Sequence, residues 1–366
     1  MRRATLHGHY GGCRTNRDVC VFYHKRSNMT HSIRKLLAIS FAGSLGLTGM
    51  SLAQAASDLT VRLAWYMPPH TATADQGTNF AQAITDLSSG KIKVETYPSG
   101  SLLKESNIAQ GLSNNTANMA IFGMHWWSKY EPSLEWDTIP FLADDAGALL
   151  NALHGKLGQD VNARLNKHGV EIIGWGFYGY AESYVNGKHT IKTPGDLKGL
   201  KMRSEGKLSA KFLSAQGATP VAVDSSEVYT SLQSGSLDGA VSGLSSIVSR
   251  KWYEVGHYIT AIHYVPLVYP IQVNLKWWKG LTQEQRDLIT KAAVGTEKQA
   301  VADIEKEFNG DIALTKKHGN EVYRPTDVEL KQWKDVAGSQ ARKDYIAEVG
   351  DSGQQILNDV DAAFKK

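Results

Sequence analysis

Cysteine is almost missing from this 366-residue chain: there are two, Cys13 and Cys20, both within the first 55 residues. The remainder therefore has no disulfide, no thiol nucleophile and no cysteine-bound metal. Long apolar runs are equally scarce. One lies at 36–52, and nothing else approaches the roughly 18 to 20 apolar residues of a membrane span. Residues 56–366 contain no G-x-x-x-x-G-K-[ST], no H-E-x-x-H and no G-x-S-x-G, which removes the commonest phosphate-binding, zinc-hydrolytic and serine-hydrolytic signatures. Gly174-Trp175-Gly176-Phe177-Tyr178-Gly179 does satisfy G-x-G-x-x-G. The residues after it read as strand, so no helix N-terminus faces a pyrophosphate and nucleotide binding is not expected. The twelve histidines lack metal-ligand spacing. No metal and no cofactor are expected, although an ion held by backbone oxygens stays open.

What is present begins with a targeting signal. After Met29 come Arg34-Lys35, the apolar run 36–52 and then Ala53-Gln54-Ala55, with small residues where a signal peptidase needs them. Polar chain follows at once, as in a secretory signal and unlike a membrane anchor. Export to the periplasm with cleavage near Ala55 is expected. Residues 1–28 precede the signal awkwardly and read as an over-long or disordered extension. Residues 1–55 carry eight of the 40 Lys/Arg and one of the 36 Asp/Glu, leaving 32 bases against 35 acids, a net charge of −3. The basic balance of the whole chain therefore belongs to the leader, and nucleic acid is not an expected partner. About 311 residues remain, enough for two domains with real cores.

Those residues alternate apolar runs with helical periodicity, which predicts an α/β architecture with largely parallel sheets. Strands are expected at 59–65, 91–97, 119–123 and 170–175, with helices at 76–87 and about 104–112. Phe80, Ala81, Ile84 and Leu87 fall on one helix face. A second set follows: strands at 182–185, 201–203, 219–223 and 240–241, with helices at about 207–215 and 227–234. The chain is expected back in the first domain near 265–273. From Thr282, with Gln285 three residues on as a capping box, helical periodicity runs to Lys317 and stops at His318-Gly319-Asn320. About 36 residues at 1.5 Å each would span about 54 Å, longer than one domain. Gly295 and Gly310 leave open a break into two helices. A capped helix beginning Thr326-x-x-Glu329 closes the chain.

Three strings stand out: Gly199-Leu200-Lys201-Met202-Arg203; Ser226-Glu227-Val228-Tyr229-Thr230-Ser231-Leu232-Gln233-Ser234-Gly235 followed by Leu237-Asp238-Gly239; and Lys251-Trp252-Tyr253-Glu254-Val255. Together they resemble the solute-binding proteins of TRAP (tripartite ATP-independent periplasmic) transporters, the DctP-type family. There the strings read G-L-K-[IL]-R-V, S-E-V-Y-x-A-L-Q-x-G-x-x-D-G and K-x-Y-E-V. The resemblance implies a two-lobed periplasmic binding fold of the Venus-flytrap kind, with a long helix behind both lobes. It also implies a receptor, not an enzyme, that carries a small organic acid to membrane permease subunits driven by an ion gradient. Domain I would comprise 56–178 plus about 268–306. Domain II would comprise about 179–267 plus about 307–366, including the C-terminal helices. The mature protein is expected to be a monomer outside the membrane.

Arg203 matches the arginine that pairs with the acid's carboxylate in that family. It follows a strand, where parallel sheets bind ligands, and a guanidinium forks bidentately onto a carboxylate. The plainer alternative is a structural pair with Glu205 or Glu227. Many relatives carry a second arginine where this chain has Ala181. The family's D-G-Q-E-N-P is here Asp238-Gly239-Ala240-Val241-Ser242-Gly243, which puts Ser242 at the asparagine. Ser225 stands where sialic-acid-type relatives have an aromatic residue. One carboxylate stays well served and a second does not. His125, Trp126, Tyr178 and Trp65, at strand ends, can replace the lost polar groups with aromatic faces, or simply pack the core. Glu105 sits near a loop of the family that matches poorly. The expected ligand is a monocarboxylate with an aromatic or apolar body, then a sugar acid. An exported enzyme, or a ligand-sensing protein using the same cleft, is the alternative.

Overall fold

In the computed structural model, the residues described are 59–143, 145–180, 182–263 and 266–364. The expected signal peptide with its expected cleavage near Ala55, both cysteines and Ala181 lie outside them.

Two sheets organise the chain. The first has five strands in the order Ile92–Tyr97, Leu59–Trp65, Met119–Ile121, Ile271–Asn274 and Val170–Gly174. The second has six, in the order Glu321–Tyr323, Tyr258–Thr260, Ser183–Asn186, Gly239–Ser242, Lys201–Ser204 and Thr219–Ala222. Both are mixed, where the sequence pointed to largely parallel sheets. Ile271–Asn274 runs antiparallel to both neighbours, because the chain re-enters the first sheet from the opposite end after building most of the second. Ser183–Asn186 likewise pairs antiparallel with Gly239–Ser242 and Tyr258–Thr260. Between the sheets, Phe177–Tyr180 and Pro266–Val268 pair as a two-stranded antiparallel ribbon, so the outgoing and returning crossovers support each other. The strand at Phe177–Tyr180 also disposes of the G-x-G-x-x-G string as a nucleotide loop.

The first helix, Ala72–Leu87, starts four residues earlier than periodicity suggested, because Thr71 caps it by accepting from the Ala74 amide. An N-cap oxygen satisfies one of the donors a helix start leaves orphaned. Phe80, Ala81 and Ile84 are buried as expected. Leu87 shares their face but is 42% exposed, because it opens on the groove that Ala83, Lys291 and Gly295 also line.

The long helix runs unbroken from Gln283 to His318. Thr282 and Gln285 exchange both capping-box bonds at its start, and Gly319 ends it at φ 102, a left-handed value that costs glycine little. Gly295 and Gly310 do not break it. A helical glycine costs about 1 kcal/mol, which the buried stripe of Ile289, Ala292, Ala293, Ala300, Ile304, Phe308 and Ile312 outweighs. One half of the helix packs against the first sheet, where a Cβ on Gly174 would lie 2.8 Å from the Cβ of Ala293. Its far end leads into Glu321–Tyr323, an edge strand of the second sheet. The helix therefore runs along both lobes.

Behind it, Thr326 and Glu329 cap the helix Asp327–Trp333, and the chain ends in the helices Ser339–Val349 and Asp351–Phe364. Tyr345 donates to the Ser133 carbonyl and Lys156 pairs with Asp359, while Lys207 and Lys211 both reach Glu348. These last helices thus hold partners in both halves. Among the described residues no helix is long and apolar enough to cross a membrane.

Candidate ligand-binding cleft

The ends of strands from the two sheets converge on one cavity of about 230 Å³. Its lining comes from the first lobe through Glu105, His125, Trp126, Tyr130 and Glu135, and from the second through Glu205, Gly206, Lys207 and Ser209. Glu182 and Leu267 line it where the chain crosses over.

Arg203 is the last residue but one of the strand Lys201–Ser204 in the second sheet and is 5% exposed. Its Nε donates to the Val223 carbonyl at 3.2 Å and its Nη1 to the Val241 carbonyl at 3.0 Å, and Nη1 stands 3.2 Å from Glu205 Oε1. The guanidinium also lies over Trp252, 5.9 Å from the ring centroid. Nη2 makes no hydrogen bond among the described residues. A guanidinium keeps its charge when desolvated, so Arg203 is a cation with one nitrogen not claimed by the protein among the described residues. Ser242 donates to Glu205 Oε1 at 2.8 Å, which places that hydroxyl beside the same ion pair. Arg203 itself does not line the cavity; Glu205 stands between.

The two lobes meet directly at the rim. Ser225, from the second lobe, donates to Glu105 Oε2 of the first at 2.8 Å. The Leu208 amide, at the start of helix Lys207–Ala215, points at Glu135 Oε1 from 3.4 Å. Burial pushes the Glu135 carboxyl above the usual range, since desolvation penalises the ionised form.

The aromatic wall is built around Gly123. A Cβ there would meet the His125 ring at 2.3 Å and Tyr269 at 2.9 Å, so a glycine is what lets the imidazole fold back over the strand end. The turn Met124–Trp127 then presents His125 and Trp126 to the cavity. Trp126 Nε1 donates to Tyr66 Oη at 3.0 Å, and the Tyr66 and Tyr269 hydroxyls share a hydrogen bond of 2.7 Å. Burial raises both phenols well above their ordinary value, so they stay neutral and keep that chain of bonds. His125 Nδ1 is 4.0 Å from Asp137 Oδ2, close enough for charge attraction and too far for a direct hydrogen bond. Burial alone would lower the imidazole's pKa, but the Asp137 carboxylate outweighs it and the net direction is up.

Of the residues singled out in the sequence, Glu105, His125 and Trp126 line the cavity. Arg203, Ser225 and Ser242 stand one contact behind, through Glu205 and Glu105. Tyr178 is buried behind the wall, stacked on Tyr269 at 4.9 Å with its hydroxyl bonded to Ser246. Its phenol is pushed up to about 12 by burial. Trp65 is 3% exposed and packs in the core behind the cavity. Sequence reasoning missed Glu135, Glu182 and Tyr130 as lining residues, and it treated Glu205 only as a structural partner of Arg203. The described residues contain no group of three or more His, Asp or Glu placed to hold a metal.

The family model for bacterial extracellular solute-binding proteins, family 7 (DctP), matches residues 63–348. The 2,3-diketo-L-gulonate-binding periplasmic protein of Escherichia coli is 27% identical over 288 residues, covering 77% of this chain and 85% of that protein. The C4-dicarboxylate-binding periplasmic protein of Rhodobacter capsulatus is 26% identical over 305 residues, covering 80% and 89%. A TRAP periplasmic solute-binding protein from Ralstonia eutropha, solved with bound (S)-2-acetolactate, superposes with a TM-score of 0.75 at 25% identity, covering 83% of this chain and 99% of its own. This is a family of solute receptors and not of enzymes, which removes the exported-enzyme alternative. With two mixed α/β lobes, a helix running along both and the matched arginine at the strand end above the cleft, the chain belongs to the DctP family of TRAP solute-binding proteins.

Proposed function

We propose that this protein captures a small organic acid in the cleft between its lobes and delivers it from the periplasm to an ion-gradient-driven TRAP permease. The observation that carries the reading is Arg203: a buried guanidinium near a strand end, paired with the cavity-lining Glu205 and with Nη2 unclaimed among the described residues. A ligand carboxylate docked on Nη2 would gain a charge-assisted hydrogen bond, with Ser242 and Ser225 close by. The rest of the ligand would lie against Trp126 and His125. Contacts to both lobes stabilise the closed form, and that difference in affinity is what a permease can sense.

A monocarboxylate with an apolar or aromatic body fits better than a dicarboxylate, because among the described residues Arg203 is the buried arginine paired with a cavity-lining residue, Glu205. A sugar acid is the second choice. Relatives support the size class: the Ralstonia protein holds (S)-2-acetolactate and the Escherichia coli relative is named for 2,3-diketo-L-gulonate.

A thermal-shift screen of the exported protein against organic acids tests the reading. A ligand at 100 times its dissociation constant adds about 2.7 kcal/mol. Shifts with carboxylates and none with their amides or esters are expected. Shifts with neutral compounds only would refute a carboxylate receptor.

A further inference from the structure

The cavity is acidic, although the family transports acids. Glu105, Glu135, Glu182 and Glu205 all line it, and Glu135 and Glu182 are 6% and 4% exposed. The cations nearby are already engaged or lie outside. Arg203 is paired with Glu205. Lys207 lines the cavity, but its side chain is 68% exposed and its ammonium pairs with Glu348. Lys129 also lines the cavity, but it is exposed and its ammonium lies over the Tyr130 ring. His125 stands beside Asp137. Glu105 and Glu135 have no ion-pair partner among the described residues; they hold a serine hydroxyl and a backbone amide instead. Glu182 adds its carboxylate from a backbone held at φ 67, a left-handed conformation that a non-glycine residue seldom adopts.

Resting on the receptor reading above, we infer that the ligand is a zwitterion: a carboxylic acid whose body bears a cationic nitrogen. The Arg203–Glu205 pair decides which acids fit. A ligand carboxylate on Nη2 shares the single guanidinium charge with Glu205 on Nη1, so a purely anionic ligand leaves two carboxylates in the cleft on one cation, and an under-compensated desolvated charge is strongly unfavourable. A zwitterion brings its own cation. Its carboxylate docks on Nη2 and its nitrogen meets Glu205, so both carboxylates stay compensated and the net charge of the cleft does not change. The remaining lining suits the same nitrogen. Glu105 faces the cavity, and Trp126 supplies an aromatic ring that attracts a cation. Trp126 is anchored through its Nε1 to Tyr66, so the ring needs no reordering to serve. Glu205 is then the residue that determines specificity, and the pattern selects amino acids or betaines over dicarboxylates and uronates.

Matched probes test this by titration calorimetry on the exported protein. Trimethylammonioacetate is compared with 3,3-dimethylbutanoate, 4-aminobutanoate with pentanoate, and L-phenylalanine with 3-phenylpropanoate. Each pair has nearly one shape and differs in the positive charge. At least one zwitterion should bind tenfold or more tightly than its uncharged-body twin. Glu205→Gln should remove most of that preference, weakening the zwitterion and strengthening its uncharged-body twin. The wild-type comparison stands by itself if the variant folds poorly. If the twins bind as tightly as the zwitterions, or if they bind and the zwitterions do not, the inference falls and the receptor reading stands. If no carboxylate of either kind binds, both fall.

Discussion

The Arg203–Glu205 pair makes a prediction that needs no ligand. Four proteins are compared: the wild type, Arg203→Met, Glu205→Gln and the double variant. Methionine keeps most of the arginine's stem against Trp252 while removing the charge and the donors. Glutamine keeps the shape of Glu205 and its acceptor for Ser242. At 3.2 Å the gross Coulomb attraction is about 5 kcal/mol at an effective dielectric of 20, and most of it is offset by desolvating the two ions. Arg203→Met also leaves the Val223 and Val241 carbonyls without their donor, at about 1–3 kcal/mol for each group left unsatisfied in the interior. Removing one partner of a buried pair costs roughly 3–5 kcal/mol in all, and that is the expected loss for Arg203→Met. Glu205→Gln should cost less, about 1–2 kcal/mol, since Arg203 keeps its two carbonyls and hydrogen bonds to charged groups are worth roughly that much. The double variant should be more stable than the two losses added, by a coupling energy of about 1.5–3 kcal/mol, within the range seen for residues sharing one network. Urea unfolding of the ligand-free proteins reads all four. A coupling within about 0.5 kcal/mol of zero would mean that the two side chains act independently, and the charge balance proposed for the cleft would lose its basis.

The other predictions concern the wall, the long helix and its acids. Trp126→Ala should weaken binding of an aromatic or cationic acid by about tenfold, which is roughly 1.4 kcal/mol, and affect a short aliphatic acid less; equal losses for both would make the tryptophan structural. Gly295→Ala and Gly310→Ala should each stabilise the fold by about 0.4–1 kcal/mol, because both sites are helical, exposed and have nothing within 4 Å of the added carbon; a fall in denaturation midpoint would show that the helix needs its glycines. Burial beside Asp311 raises Glu307 to about 8. Its folded pKa lies above the unfolded one, so the folded form holds the extra proton and its contribution is complete below about pH 4.5 and is lost as pH rises through about 8. Glu307→Gln, which keeps an acceptor for the Ala72 amide, should flatten the decline in melting temperature between pH 5 and 8, and an unchanged slope would assign that decline to other groups.

Much of the scaffold was legible because its signals are local. The strand 59–65 and the helix 207–215 have the expected bounds. Both capping boxes, Thr282 with Gln285 and Thr326 with Glu329, form as their spacing suggested. What escaped depends on partners distant in the chain. Tyr258–Thr260 and Glu321–Tyr323 are strands of three residues, too short to show a period, and they exist because Tyr258–Thr260 pairs with Glu321–Tyr323 on one side and with Ser183–Asn186 on the other. The direction of Ile271–Asn274 follows from where the crossover returns it. In the cleft, His125 and Trp126 follow a strand end into the cavity lining, while Arg203 stands behind it through Glu205. Trp65 and Tyr178 occupy equivalent sequence positions and turn instead into the core and onto Tyr269. Strand-end location does not say which way a side chain turns. Glu135 and Glu182 sit in irregular segments without a motif, and only closure of the two lobes brings their carboxylates to the same space as Glu105 and Glu205.

The central claim is that Arg203 holds a ligand's carboxylate in this cleft. Its most direct test is titration of the best-shifting acid into the wild type and into Arg203→Gln, after circular dichroism has shown the variant folded. The account predicts at least a tenfold loss of affinity for the acid and no loss for an amide analogue that binds weakly from the start, since truncating one partner of a desolvated charge pair costs roughly 2 kcal/mol or more. Equal affinity of the acid for both proteins would take Arg203 out of the site and the carboxylate with it.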